Sequence, residues 1–367
     1  MPDINPALHT AFGARGVAKL CAAIASGESP DLAVEIATLN SLLSSQENKT
    51  QALENDGAVV PVLTGLLASA EPAVRRQAAL AIASLTLVYQ GRIAAADAQT
   101  TAALAGPLRD DADESVRAGC AQALESLTSS RDGCSVVMAA EGLVGNLTAA
   151  LDDQHKPVVL PAIGALANLL RLDLGVSEAL SAKVVPKLSG LVDASQRNAS
   201  VLETSLQALW NLANTPDGKA AAISSGLLDS LASHLSKGSS RVKRLAAGCV
   251  MAITVDKEGK LHALGCVEPL AAVLFDRASD ASTVRDAVGA LKNITEAPRA
   301  RKMLDAWVKA AGQAERMTEL FEQPLYDHKQ WPASLRFQHQ NVAPGGAAAK
   351  AEAATRERWG YPKPFAM

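Results

Sequence analysis

No signature of catalysis runs through this chain. GxxxxGK(S/T), HExxH, GxSxG, GxGxxG and the kinase-type set are absent, and His9, His155, His234, His262, His328 and His339 are scattered. An enzyme is therefore not expected. No run of 18 apolar residues is present, so no membrane-spanning helix is expected either. The N-terminus lacks the charged-then-apolar order of a signal peptide, and Pro2 stands where N-myristoylation would need glycine. Synthesis in the cytosol and no membrane partner are the expectations. No CxxC pair occurs, and Cys21, Cys120, Cys134, Cys249 and Cys266 read as small buried hydrophobes. His262 and Cys266 share a helix face at i, i+4, but no further pair completes a metal site, so no cofactor is expected. A formal charge of -3 and a pI near 6.1 give no general attraction to phosphate backbones. A protein partner, not nucleic acid, follows. Asn-x-Ser/Thr sequons begin at Asn48, Asn146, Asn198 and Asn293 and matter only in a secreted chain.

What is present is a period. Val74, Val116, Val158, Val201 and Val242 recur at intervals of 42, 42, 43 and 41 residues, and Thr283 with Val284 continues them. Leu42, Leu85, Leu127, Leu169, Leu212, Ile253 and Ile294 keep the same step. A helical pattern at this period predicts an all-α solenoid of armadillo or HEAT type, in which each unit buries its apolar face only against its neighbours. Each unit opens on a small or breaking residue and an apolar helix, as in Gly57-Ala58-Val59-Val60-Pro61, with proline in the first turn, where its missing N–H costs nothing. A polar turn such as Ser69-Ala70-Glu71-Pro72 leads into a longer, small-residue-rich helix. About seven repeats are expected over residues 13–300, after an N-terminal segment 1–12. A capping helix over 301–323 and an irregular tail over 324–367 complete the expected order.

Ala208-Leu209-Trp210-Asn211-Leu212 resembles the third helix of armadillo repeats and returns at Ala165–Leu169 and Ala290–Ile294. The resemblance implies a right-handed superhelix. In peptide-binding members of that family the asparagine lines a groove and bonds ligand backbone, with a tryptophan four residues earlier. Here the asparagine position holds Ser41, Ser84, Ser126, Asn168, Asn211, Ala252 and Asn293, and the tryptophan position holds Ala37, Leu80, Gln122, Gly164, Gln207, Gly248 and Gly289. Without aromatic walls for lysine stems, nuclear-import adaptation loses its mechanism. Asn168, Asn211 and Asn293 either contact a partner's backbone or are polar residues on an exposed face. Arg75, Arg76, Arg117, Lys243, Arg244 and Arg285 begin third helices and form either a basic ridge for an acidic partner or a solvated face.

A narrower likeness appears in the opening Ile4–Leu20, which resembles the start of the armadillo-repeat subunits of ciliary radial spokes. Further matches fall at Val242–Gly248, Glu258-Gly259-Lys260 and Glu296-Ala297-Pro298 followed by Arg301-Lys302. This resemblance implies a non-catalytic scaffold of the axoneme in cilium or flagellum, joined to other radial-spoke proteins including the core stalk scaffold. The alternative is a soluble armadillo adaptor that binds extended peptides. Beyond about residue 320 the family offers no match. Phe, Trp and Tyr number only 5, 4 and 3 in the whole chain, yet seven of them lie in residues 321–367. A flexible terminus is ordinarily aromatic-poor. Trp331, Phe337, Trp359, Tyr361 and Phe365 are thus candidate anchors, either for another subunit or for the chain's own last repeat.

Overall fold

The computed structural model describes residues 13–27, 31–54, 58–195 and 198–322. Among them every regular element is helical. The first repeat has two helices, α1 (Gly13–Ser26) and α2 (Leu32–Leu42). Triplets follow: α3 (Gln46–Ala52), α4 (Val59–Leu66) and α5 (Pro72–Leu85), then α6 (Tyr89–Asp97), α7 (Thr100–Asp110) and α8 (Glu114–Thr128). The fourth repeat comprises α9 (Arg131–Met138), α10 (Leu143–Ala149) and α11 (Lys156–Leu169), and the fifth α12 (Asp173–Ser181), α13 (Val184–Ala194) and α14 (Ala199–Ala213). The last two are α15 (Pro216–Ser224), α16 (Leu227–Lys237), α17 (Ser240–Ile253) and α18 (Lys257–His262), α19 (Val267–Phe275), α20 (Ala281–Ile294). Two helices, α21 (Pro298–Ala311) and α22 (Ala314–Glu322), stand where one cap over 301–323 was expected, parted at Gly312, whose φ is 65°. The chain divides into two units between Gly312 and Gln313, and α22 belongs to the second.

The marker residues explain the stack. Val74, Val116, Val158, Val201 and Val242 are all buried, and in the last repeat the buried member is Thr283. Leu85, Leu127, Leu169, Leu212, Ile253 and Ile294 have no exposed surface. Each third helix packs between its predecessor and successor, in the order α2, α5, α8, α11, α14, α17, α20. Small residues on these helices permit the close approach: Ala78, Ala79, Ala81, Ala246 and Ala247 are wholly buried. Aspartate, asparagine or serine side chains satisfy the first-turn N–H groups of α8, α14, α17 and α20, from Asp113, Asn198, Ser239 and Asp280. The array ends on α21, where Trp307 stacks on Phe275 of α19 with ring centroids 5.8 Å apart.

The short first helices turn back tightly over the end of the preceding third helix, and a glycine makes this possible. A Cβ at Gly91, Gly133, Gly175, Gly218 or Gly259 would lie 1.7–2.2 Å from the carbonyl oxygen of Leu85, Leu127, Leu169, Leu212 or Ile253. No side chain fits there. Before the second helices the backbone turns left-handed, at Gly142 and Gly226 with φ 75° and 73°, and at Gln99 and Lys183 with φ 52° and 59°. Those two side-chain-bearing residues adopt a conformation that costs about 1 kcal/mol each relative to glycine.

Candidate protein-binding face

The third helices, side by side, form one face that carries the sequence-nominated polar residues. Asn168, Asn211 and Asn293 occupy equivalent positions, and all three are half-buried. Their amides first serve the array itself. Asn168 donates to Thr128 Oγ1 and Asn293 to Thr254 Oγ1, each at 3.4 Å and each one repeat back. Leu170 stands in the threonine's place before the fifth repeat, and Asn211 donates instead to the Ala167 carbonyl at 2.7 Å. Its carbonyl accepts from Gln207 Nε2 at 3.1 Å. Each asparagine therefore ties two third helices and keeps one N–H for another acceptor.

At two of the seven tryptophan-equivalent positions the space is filled from the preceding repeat. The Glu125 carboxylate lies over Gly164 and the Trp210 indole over Gly248; a Cβ on those glycines would meet them at 2.1 and 2.6 Å. Burial pushes the Glu125 carboxyl above the usual range.

Ion pairs across repeats engage three of the candidate ridge residues, Arg75, Arg117 and Lys243. Arg75 holds both oxygens of Asp111 at 2.7 and 2.8 Å, and Arg117 holds those of Asp153 at 2.7 and 3.0 Å. Lys243 meets Asp276 at 2.6 Å. The hydrogen bonds from Arg75, Arg117 and Lys243 hold these three carboxyls below their ordinary range. Asp111, Asp153 and Asp276 also each accept a backbone N–H two residues on, from Asp113, His155 and Ala278, which fixes the turn before the next third helix. These cations clamp neighbouring repeats and are not free for a partner. Arg285 is exposed, with one contact of 3.4 Å to Asp286. Asp286 is 3% exposed, its Oδ2 has no hydrogen-bond partner, and burial raises its pKa. Trp331, Phe337, Trp359, Tyr361 and Phe365, like segment 1–12, lie outside the described residues.

Exposed apolar residues escaped the sequence reading. Leu87 and Ile93 flank the start of α6, and Val255 and Leu261 occupy the same two repeat positions four repeats later. Cys120, Cys134, Cys249 and Cys266 are buried. Desolvation raises all four thiols, to about 12 for Cys120 and Cys266, which leaves them inert as nucleophiles at neutral pH. Among the described residues no group of three or more His, Cys, Asp or Glu side chains could hold a metal, and no single helix is long and apolar enough to cross a membrane.

Comparison with solved structures decides the fold. An engineered protein from the Northeast Structural Genomics Consortium superposes with a TM-score of 0.74 at 23% identity, over 84% of this chain and 79% of that one. A designed armadillo repeat protein in complex with the peptide (KR)4 aligns at 0.59 and 22% identity, over 64% and 98%. The fold is an armadillo-repeat solenoid. Another neighbour, computationally designed armadillo repeat proteins for modular peptide recognition, matches at 0.58 and 21% identity over 64% of this chain and 98% of that one. No protein-family model matches the chain, and no curated protein does.

Proposed function

We propose that the chain is a non-catalytic scaffold that binds an extended segment of a partner protein along its third-helix face. The observation that carries this is the asparagine register: Asn168, Asn211 and Asn293 are braced by the repeat before them, yet each retains a donor on a half-exposed face. An extended chain has unpaired backbone carbonyls along its whole length, and fixed donors at repeat spacing suit it. The solved neighbours of this fold include one holding a peptide, which supports the reading. Selection of displayed peptides on the immobilised full chain tests it. Enriched peptides should lose at least ~5-fold affinity with Asn168→Ala, whose second amide hydrogen is removed. Retention of full affinity by variants at all three asparagines counts against this face.

A second reading, a structural subunit of the axonemal radial spoke beside other spoke proteins and the core stalk scaffold, is supported by the resemblance of Ile4–Leu20. Its test is fractionation of ciliated cells. Retention in detergent-extracted axonemes, lost where spokes are missing, is the expected result, and a wholly soluble pool refutes it.

A further inference from the structure

A pocket of about 260 Å³ opens between the third and fourth repeats, where α8 ends, α9 begins and α11 ends. Arg131 and Arg171 line it, both exposed, and neither guanidinium has a hydrogen bond or ion pair among the described residues. No carboxylate lies in the lining. This sets the pair apart from Arg75 and Arg117, which aspartates already neutralise. Asn168 lines the pocket too, and its bond to Thr128 Oγ1 uses one amide hydrogen of two. Ser130 accepts the Gly133 N–H at 3.1 Å and keeps its own O–H to donate. The positive end of the α9 dipole adds to the same potential. The Cys134 thiol, turned to the Thr128 carbonyl at 3.1 Å, contributes only wall.

Two guanidiniums, a spare amide hydrogen and a spare hydroxyl are more donors than the two oxygens of one carboxylate can use with good geometry. A phosphoryl group brings three acceptor oxygens and nearly two negative charges. We infer that this pocket takes the phosphoryl group of a phosphorylated serine or threonine in the partner segment. The inference rests on the scaffold reading, and it gives that reading a switch. Asn168 stands both in the pocket and in the asparagine register, so a phosphorylated residue seated here sets where the segment lies along the face. Arginine forks recognise phosphate by paired N–H contacts, so binding depends on both charge and shape.

The probe is O-phosphoserine, titrated into the 15N-labelled full chain while the amide signals of Gly133, Cys134 and Arg171 are followed. Glutamate serves as the carboxylate arm and serine as the neutral one. Saturable shifts with phosphoserine are expected, at least ~10-fold weaker with glutamate and absent with serine. Arg131→Gln and Arg171→Gln should each weaken binding at least ~5-fold with an unchanged thermal melt, because both side chains are exposed. No saturable shift, or shifts indifferent to both substitutions, overturns the pocket. Glutamate binding as tightly as phosphoserine overturns the phosphoryl assignment. Because the probe contains no peptide, the outcome is separable from that of the peptide selection. A selected peptide resynthesised with phosphoserine that binds wild type and the double variant equally would leave the scaffold reading standing and remove this one.

Discussion

The clamp of third-helix cation and loop aspartate holds the repeat junctions on either side of α8 and is missing from those on either side of α14, although Lys187 of α13 meets Asp152 of the preceding repeat. Arg75 of α5 reaches Asp111 before α8, and Arg117 of α8 reaches Asp153 before α11. In the next two repeats the cation position holds Val159 and Leu202, both buried, and the acid position holds Ser195 and Gly238. Neither half of the clamp survives without the other. The clamp returns as Lys243 with Asp276. An unpaired half would leave a charge partly desolvated, a cost that a valine or leucine avoids. Helix cation and loop acid are therefore one device shared by two repeats. Where it is missing, other contacts carry the junction: Asn211 bonds the Ala167 carbonyl between α11 and α14, and between α14 and α17 the Trp210 ring lies flush on Gly248.

The sharpest break of this comparison is Gly248→Ala. A methyl 2.6 Å from a rigid indole forces the ring or helix aside, at a cost of about 2–3 kcal/mol. Gly164→Ala should differ in sign or nearly so. There the obstacle is the end of the flexible Glu125 side chain, which can swing away, while alanine gains about 1 kcal/mol of helix propensity. Segment-resolved amide exchange reads both, because loosening in an array stays near its junction. Comparable protection of α14 and α17 in wild type and Gly248→Ala would refute the close-packed junction.

Next in size is Arg117→Ala, which should cost about 1–2 kcal/mol at the charged junction. Asp153 has its pKa lowered by Arg117, so its stabilisation is present above the ordinary carboxylate range and is lost as pH falls through the depressed folded value. Urea melts of wild type and variant should accordingly converge in acid. Asp286 has the opposite sign. Burial raises its pKa, so its stabilising contribution exists below the ordinary range and is lost as pH rises through the raised value. Asp286→Asn should match or exceed wild-type stability at pH 7 by up to ~1 kcal/mol, with no difference in acid. A loss at pH 7 would mean that the contact with Arg285 outweighs desolvation. The smallest effect is the graft of Val159→Arg with Ser195→Asp, for which a double-mutant cycle should give a coupling of about 0.5–1 kcal/mol.

The period was legible in the chain because burial in a stack is strictly repetitive: each marker valine is a core residue, and coordinates were needed to choose Thr283 over Val284 and to show that Leu43, not the marker Leu42, is the buried member of the first repeat. The short first helices were harder to see. Segments such as Tyr89–Asp97 carry few large apolar residues, and their packing depends on a glycine instead of a hydrophobic face. Counting cations at the starts of third helices suggested a ridge, since the neutralising aspartates lie one repeat on in sequence. Their 36-residue offset from Arg75 and Arg117 was a readable signal. The pocket at Arg131 and Arg171 was not readable, because it joins the ends of α8 and α11 to the start of α9, and no single stretch of sequence contains it.

The most direct test of a partner-binding third-helix face is amide exchange of the full chain with and without a peptide enriched by selection. The account predicts added protection along α8, α11 and α14, the third helices around Asn168 and Asn211. Protection confined to the first and second helices, or no change anywhere at saturating peptide, would contradict it.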